Sequence, residues 1–236
     1  MAMVGGGAMK FTKVQLIVTL VALLASGGIL AIKGLPASRQ VFDACDDGDC
    51  EQVQRALNWG VPVEITRRTS SSVLGCTLLQ GAAADGNKSM AELLIIMGAD
   101  INARSESGGA PLYWAASQGR TEVAGFLIAQ GADVDIGNND GVTPLSIAAS
   151  WGDTDMAELL IAKGADVNSR DSSGGTPLHF AAYYSSLLTT DAARLIIAKG
   201  ANLNVKDAEG RTPLRLAVER GKKELAELLR QHGAKE

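Results

Sequence analysis

Beyond residue 40, short apolar segments with a helical period alternate with polar stretches that contain glycine. Within residues 140–169, Thr143 and Pro144 predict the start of a short helix. Threonine can accept a hydrogen bond from a free N–H group there, and proline lacks the N–H that would be unpaired. Gly152 interrupts the pattern, a second apolar segment follows, and Gly164 predicts its left-handed C-terminal end. The segment therefore predicts two short helices, which are too small to bury their apolar faces without neighbours.

The same pattern recurs along the chain with a nearly constant period. Five glycines that each end a predicted second helix are separated by 33 or 36 residues: Gly98, Gly131, Gly164, Gly200 and Gly233. Four of the six prolines occupy one position of the repeating unit and precede a leucine: Pro111, Pro144, Pro177 and Pro213. Such regularity indicates a repeat architecture, in which each unit buries its apolar face against the next one.

The repeating unit resembles the ankyrin repeat. Residues 176–179 read Thr-Pro-Leu-His and residues 164–168 read Gly-Ala-Asp-Val-Asn, with the 33-residue period typical of that family. The resemblance covers residues 40–236 and implies an all-α solenoid of helix–turn–helix repeats with β-hairpin fingers. We expect approximately these six repeats: 40–66, 67–103, 104–136, 137–169, 170–205 and 206–236. The first lacks Thr-Pro-Leu and the last ends in a charged helix, which suits terminal repeats that face solvent on one side.

Residues 1–39 differ from the repeats and form a predicted leader. Residues 14–32 are almost entirely apolar and follow Lys10 and Lys13, so they predict an N-terminal apolar helix. One interpretation is a secretory signal peptide that is cleaved near small residues. The other is an uncleaved transmembrane anchor, because the run is nearly long enough to cross a bilayer of about 30 Å. The apolar residues that continue past Gly28 favour the anchor, and both interpretations direct the chain into or across a membrane.

The distribution of charge separates the leader from the repeats. All 26 acidic residues lie beyond Arg39, whereas four of the 22 lysines and arginines lie at or before it. The repeat region is therefore acidic, which argues against nucleic acid as a partner, since binding to phosphates requires clustered cations. Lys10 and Lys13 would hold the N-terminal end in the cytoplasm. We expect the repeats outside the cytoplasm, membrane-anchored if the leader is retained and secreted or periplasmic if it is cleaved.

Two interpretations of the first cysteines remain open. Cys45 and Cys50 flank a predicted turn, and in an oxidising compartment they could pair as a disulfide and close a small loop. Alternatively, Cys45 takes the place of a packed alanine and stays reduced. We expect no zinc site, because the three cysteines and two histidines lack the paired spacing of zinc ligands.

The sequence contains no catalytic constellation. His179 belongs to the Thr-Pro-Leu-His motif, and in the family that the chain resembles this histidine orients the turn through hydrogen bonds. No nucleophile pattern accompanies it, and the paired glycines are not followed by the lysine of a phosphate-binding loop. We therefore expect a protein without enzymatic activity, cofactor or metal.

The resemblance also implies where a partner binds. Ankyrin proteins usually bind partners on a concave face, which is lined by the hairpin tips and by residues that follow the Ala-Ala pair of each first helix. The second residue after each pair gives a row: Asp85, Gln118, Trp151, Tyr184 and Arg220. Tyr183 lies beside this row, and these hairpin positions extend it: Glu106, Ser107, Asn139, Asp140, Ser172, Ser173, Glu209 and Arg211.

Two aromatic residues of the row are the expected anchors. Trp151 and Tyr184 stand at equivalent positions of adjacent repeats, so we expect them to be neighbours. Large aromatic side chains and arginine are the usual anchors of protein interfaces. In an alternative interpretation, the two rings lean on each other and cover the edge of the core. Trp114 and Phe180, which follow the histidine position, are expected to be buried between repeats.

These observations together predict a non-enzymatic protein–protein interaction module, exported or membrane-anchored, that binds a protein partner through its concave face. The alternative is an immunity or protective factor that inhibits or stabilises a specific enzyme in the same compartment. The sequence does not name the partner in either case.

Overall fold

The computed structural model describes residues 38–67, 75–184 and 190–235. In these ranges the helices are α1 (Ser38–Asp46), α2 (Cys50–Asn58), α3 (Leu78–Asp85), α4 (Lys88–Ile96), α5 (Pro111–Ser117), α6 (Thr121–Ala129), α7 (Pro144–Trp151), α8 (Thr154–Ala162), α9 (Pro177–Tyr184), α10 (Asp191–Ala198), α11 (Pro213–Glu219) and α12 (Lys223–Gln231). The predicted leader helix at residues 14–32 lies outside the described ranges. Within those ranges, no helix is long and apolar enough to cross a membrane.

The ends of α7 and α8 are set by the residues that predicted them. Thr143 accepts a hydrogen bond at 3.3 Å from the backbone N–H three residues further on, and Pro144 begins α7. Gly152 ends the helix with a φ of 68°, a left-handed conformation that glycine adopts without strain. Asp153 then caps α8 by accepting a hydrogen bond from Met156 N at 3.0 Å. The predicted helix–turn–helix unit is therefore confirmed.

Helix α3 begins differently, because Leu78 stands where the later first helices have proline. Thr77 and Gln80 form a capping box. Gln80 N donates to Thr77 Oγ1 at 3.3 Å, and Thr77 N donates to Gln80 Oε1 at 2.8 Å. These reciprocal bonds satisfy two backbone donors that the start of a helix leaves free. They also hold the Gln80 side chain in the interior, where only 1% of its surface is exposed.

The helices are arranged in two layers. The first helices of successive pairs (α1, α3, α5, α7, α9 and α11) pack against one another, and the second helices α2 to α10 follow one another in the other layer. One leucine in each first helix from α3 onwards is at most 1% exposed: Leu79, Leu112, Leu145, Leu178 and Leu214. Burial of such a side chain contributes about 1.5–3 kcal/mol. Because one core extends from α1 to α12, neighbouring units stabilise each other, and the predicted all-α solenoid is confirmed.

The loops between helix pairs are linked by hydrogen bonds. A side-chain oxygen in one loop accepts a hydrogen bond, at 2.7–3.1 Å, from a backbone N–H in the next, and the acceptors are Glu64, Asn102, Asp135, Asn168 and Asn204. Among the described residues, a two-stranded antiparallel sheet pairs β1 (Thr66–Arg67) with β2 (Cys76–Thr77). Later hairpins are closed by backbone bonds such as those from Asp171 N to Gly175 O at 3.0 Å and from Gly174 N to Asp171 O at 2.9 Å. The loops therefore hold successive hairpins in register.

Candidate functional site

The predicted row of residues lies at the C-terminal ends of the first helices. Trp151 is the last residue of α7, and Gln118 and Arg220 directly follow α5 and α11. The preceding alanines, such as Ala148 and Ala149, are buried in the core. The side chain two residues further on consequently faces solvent. We call this set, whose five members are all exposed, the first-helix row: Asp85, Gln118, Trp151, Tyr184 and Arg220.

The two aromatic residues of the row are exposed but do not stack on each other. Trp151 is 68% exposed, and among the described residues its ring makes no aromatic contact. Tyr184 is 62% exposed and stacks on Phe180, with ring centroids 5.9 Å apart and an interplanar angle of 28°. Residues four apart are neighbours on a helix, so Tyr184 turns towards its own helix. The alternative interpretation, in which the two rings lean on each other and cover the core edge, is therefore not what the described residues show.

Arg220 contacts Tyr183 rather than Tyr184, which is its neighbour in the first-helix row. Its guanidinium carbon lies 3.6 Å from the ring centroid of Tyr183, which also contacts the Tyr184 ring at a centroid distance of 4.5 Å. A cation over an aromatic face is attracted by the electrons of the ring. The structure thus brings together four side chains, which we call the aromatic cluster: Phe180, Tyr183, Tyr184 and Arg220.

The predicted hairpin residues hold adjacent hairpin tips together. Three backbone bonds of 2.7–2.8 Å join successive tips: Asn139 N to Ser107 O, Ser172 N to Asp140 O, and Ala208 N to Ser173 O. The Asn139 side chain also donates from Nδ2 to Glu106 O at 2.7 Å. The side-chain amide of Asn139 is therefore used within the protein, whereas the side chains of Glu106 and Asp140 lie at the surface.

Arg211 stabilises its own hairpin. Its Nε and one terminal nitrogen each lie 2.9 Å from Asp207 Oδ2, and the other terminal nitrogen pairs with Glu209. Burial raises the pKa of Asp207, but hydrogen bonds from the backbone and side chain of Arg211 outweigh burial and hold that pKa below its ordinary value. The guanidinium predicted to bind a partner is thus engaged inside the hairpin.

His179 has the structural role that the motif implies. Its Nδ1 accepts a hydrogen bond from Thr176 N at 3.1 Å, so its Nε2 carries the proton and donates to Arg211 O at 3.1 Å. Burial disfavours the charged ring and lowers the pKa of His179, in spite of the nearby Asp207 and Asp171. The neutral imidazole therefore links the start of α9 to the following hairpin.

A cleft of about 230 Å³ lies between His179 and the aromatic cluster. Asp171 and Arg211 line its other side. Phe180 is only partly buried and forms part of the cleft wall, as Trp114 does in a second cleft. Both rings are therefore only partly buried, which corrects the prediction that they are buried between repeats.

The second cleft is larger, about 430 Å³, and sequence reasoning did not find it. It lies over α3, between Phe42 of α1 and Trp114 of α5, with Gly81 and Ala84 beneath it. A Cβ atom placed on Gly81 would meet no atom within 4 Å. The signal was present in the sequence, since the other first helices from α5 onwards carry large apolar residues at this register: Trp114, Ile147, Phe180 and Leu216.

No disulfide joins the three cysteines in the structure. Cys45 is buried in α1, with its Sγ 3.7 Å from Leu78 O, and Cys50 begins α2. Pairing of Cys45 with Cys50 in an oxidising compartment stays a prediction. In the described part of the chain, no group of three or more acidic, histidine or cysteine side chains is placed to hold a metal ion.

The stacked helix pairs, the shared core and the exposed row define a helical-repeat protein, a class whose extended surfaces bind other macromolecules. The family model described as ankyrin repeats (three copies) matches residues 41–138, 78–171 and 145–236. The chain therefore belongs to the ankyrin-repeat family. Ankyrin repeats are a non-catalytic interaction fold, so this protein is a protein–protein interaction module.

Proposed function

We propose that the protein binds a protein partner through the exposed face of its first-helix layer, with Trp151 and the aromatic cluster as anchors. The observation that carries the proposal is the 68% exposure of Trp151 and the 62% exposure of Tyr184 at equivalent ends of adjacent helices. The core does not require these side chains, because their helices are already held by buried leucines and alanines. Aromatic residues and arginine dominate the energy of protein interfaces.

The surroundings of these anchors support the same proposal. Arg220 is held over Tyr183, so less side-chain freedom is lost when a partner binds. Gln118 of the first-helix row and the hairpin residues Glu106 and Asp140 are exposed as well. Polar residues around an aromatic centre are the usual composition of a transient interface. The face therefore combines apolar anchors with a polar margin.

We also propose that the repeats act outside the cytoplasm, in an exported or membrane-anchored protein. Residues 14–32 form an apolar run after Lys10 and Lys13, which is typical of a signal or an anchor. A retained anchor predicts full-length protein that resists alkaline carbonate extraction from membranes. Soluble mature protein that begins between residues 28 and 40 would instead identify a cleaved signal, and intact protein in the cytoplasm would refute export.

The binding proposal is tested with a double variant, Trp151→Ala with Tyr184→Ala. We expect the capture of a partner by the full-length protein to weaken about thirty-fold or more, because even one anchor of this kind contributes about 2 kcal/mol or more. Lys163→Ala with Lys199→Ala is the matched control, since both lysines are exposed at the ends of the second helices α8 and α10. The measurement is quantitative mass spectrometry of proteins retained from extracts of the native source.

Circular dichroism and thermal unfolding must accompany that experiment. Loss of the Tyr184 stacking contact costs about 0.5–1.5 kcal/mol, so the helical signal should stay unchanged and the melting temperature should fall by only a few degrees. Normal partner capture by the double variant would show that the aromatic residues are not anchors. An unfolded double variant would show that they belong to the core.

A further inference from the structure

We propose that the partner presents a carboxylate to Arg220, in an Asp or Glu side chain next to an apolar residue that enters the cleft beside Phe180. The proposal rests on the function proposed above and deepens it, because it names the chemistry that the partner brings to that face. Its starting observation is the contact between Arg220 and Tyr183, in which the guanidinium carbon lies 3.6 Å from the ring centroid.

Contact with the tyrosine leaves the hydrogen-bonding groups of Arg220 available. Arg220 directly follows α11 and is exposed. A guanidinium is planar, and its five N–H donors are arranged in that plane. The ring of Tyr183 attracts the cation through its π-electrons and leaves these donors without an acceptor. Arg220 is therefore positioned to donate two parallel hydrogen bonds to one carboxylate.

Arg220 differs from the two arginines that precede it in the sequence, because it has no carboxylate partner. Arg211 is engaged by the two carboxylates of its own hairpin. Arg215 Nε, in helix α11, donates to Glu219 Oε1 at 2.8 Å. In the described ranges, no hydrogen bond or ion pair involves the side chain of Arg220, so its charge is not neutralised by a neighbour. A carboxylate on the partner would supply that counter-charge.

The cleft that Tyr183 lines has room for one apolar side chain. Its volume of about 230 Å³ is below the roughly 300–1,000 Å³ of sites that bind whole organic ligands. Phe180 and Leu216 contribute apolar surface to its wall, and burial against such surface is favourable. Tyr183 lines the cleft and also contacts Arg220. The carboxylate and the apolar side chain of the partner must therefore lie on adjacent or nearly adjacent residues.

The charges in the cleft determine which of the two groups enters it. Asp171 and Asp207 both line the cleft, whereas Arg220 is exposed outside its lining. Both carboxylates are bonded within their own hairpins, Asp171 to two backbone N–H groups and Asp207 to Arg211. An acidic group inside the cleft would be repelled by these carboxylates, but an acidic group outside it is attracted by Arg220. The apolar side chain therefore enters the cleft and the carboxylate stays at the surface.

The first experiment selects short random peptides on the full-length protein. The peptides are displayed on phage with their C-termini joined to the coat protein, so that an acidic side chain is the source of any carboxylate. Counter-selection uses Arg220→Gln, which removes the charge. We expect the enriched peptides to share an Asp or Glu within two residues of Leu, Ile, Val, Met or Phe. Enriched peptides without an acidic residue, or a selection that yields no peptide dependent on Arg220, would overturn the proposal.

The second experiment is a double-mutant cycle measured by fluorescence anisotropy. An enriched peptide, and its variant with the acid changed to the amide, are each titrated with the full-length protein and with Arg220→Gln. Each single change should weaken binding about ten-fold or more, because each removes a charge-assisted pair of hydrogen bonds. The two changes together should weaken binding little further, since both remove the same interaction. Additive effects would show that the acid binds elsewhere and would refute the pairing.

Two further variants separate geometry from general attraction between charges. Arg220→Lys keeps the charge but loses the planar pair of donors, so it should weaken binding less than Arg220→Gln. Arg215→Gln is the matched control, because Arg215 is exposed on the same helix but is already paired with Glu219. It should bind the peptide as the unchanged protein does, and an equal loss in both glutamine variants would contradict a specific pair. A phosphoserine peptide that binds more tightly than the acidic one would assign the site to phosphate and overturn the proposal.

Partner capture and stability separate this proposal from the one on which it rests. If Trp151→Ala/Tyr184→Ala loses the native partner while Arg220→Gln retains it, the face binds a partner but the proposed chemistry is wrong. If the double variant retains the partner, the function proposed above fails, and the double-mutant cycle still decides whether Arg220 binds a carboxylate. Arg220→Gln should keep the helical circular dichroism signal, because an exposed contact between a cation and a ring contributes little to stability. If that variant fails to fold, Arg220→Lys and the amide peptide test the same pair.

Discussion

Helices α3 and α9 hold the same position in their repeats but present different surfaces. On the buried side they are alike, with Leu79 and Leu178 each at most 1% exposed. On the open side, α3 has Gly81 and a cleft, whereas α9 has Phe180 in a group of stacked rings. The solvent-facing residues of a first helix can therefore differ between repeats while its buried residues stay the same.

Helices α3 and α9 are also alike in their buried polar residues, Gln80 and His179. Gln80 Oε1 accepts a hydrogen bond from Thr77 N at 2.8 Å, and its Nε2 donates to Gly109 O at 3.1 Å. His179 makes the corresponding two bonds. Its Nδ1 accepts a hydrogen bond from Thr176 N at the start of its own helix, and its Nε2 donates to Arg211 O in the next hairpin. Both side chains offer an acceptor and a donor at opposite ends, and the amide has a second N–H, which donates to Ala103 O at 2.6 Å. The scaffold thus requires a pattern of hydrogen bonds rather than a particular residue.

The largest expected effect tests whether α3 and α9 are packed equally well into the shared core. Leu79→Ala and Leu178→Ala should each lower the free energy of unfolding by about 2–5 kcal/mol, because each leaves a cavity between two neighbouring first helices. Urea unfolding followed by circular dichroism measures both. A loss close to zero for either variant would break the comparison, since it would mean that one of the two repeats is not packed into the shared core.

A smaller effect tests whether the hydrogen bonds of Gln80 and those of His179 have equivalent roles. Gln80→Ala and His179→Ala should each cost about 1–3 kcal/mol, because each removes the side-chain acceptor of the N–H at its helix start and the bond to the following hairpin. The exchanges Gln80→His and His179→Gln should cost much less, since they keep an acceptor and a donor in place. If an exchange costs as much as the alanine substitution at the same site, the two links are not interchangeable. The same urea titrations provide the measurement.

The smallest effect is the pH dependence of stability. The pKa of His179 is lowered in the folded protein, mainly by burial, so the unfolded chain binds the proton more tightly. His179 therefore costs stability as the pH falls below its ordinary value of 6.5, and the cost levels off only below the folded pKa. His179→Gln should flatten the stability profile in this window. Gln80→His should steepen it, and a profile unchanged by both variants would contradict the burial of a neutral imidazole.

Much of the fold was predictable because its signals act over short distances. Thr143, Pro144 and Gly152 set the ends of α7 through bonds within one or two turns, so their meaning does not depend on the rest of the chain. Because the pattern recurs with a nearly constant period, the same helix ends could be predicted in the other repeats. The hydrogen-bonding role of His179 was also predictable from its motif.

The sequence by itself thus determined the repeat, since the repeat follows from spacing along one or two helices, and the resemblance to ankyrin repeats implied the exposed row. Only the tertiary structure decided which side chains meet across helices. It placed Arg220 on Tyr183 and engaged Arg211 within its own hairpin. It also opened a cleft at Gly81, because the volume there depends on rings from α1 and α5 that are distant in the sequence. Contacts of this kind depend on side-chain direction and on the distance between helices, which a one-dimensional pattern does not contain.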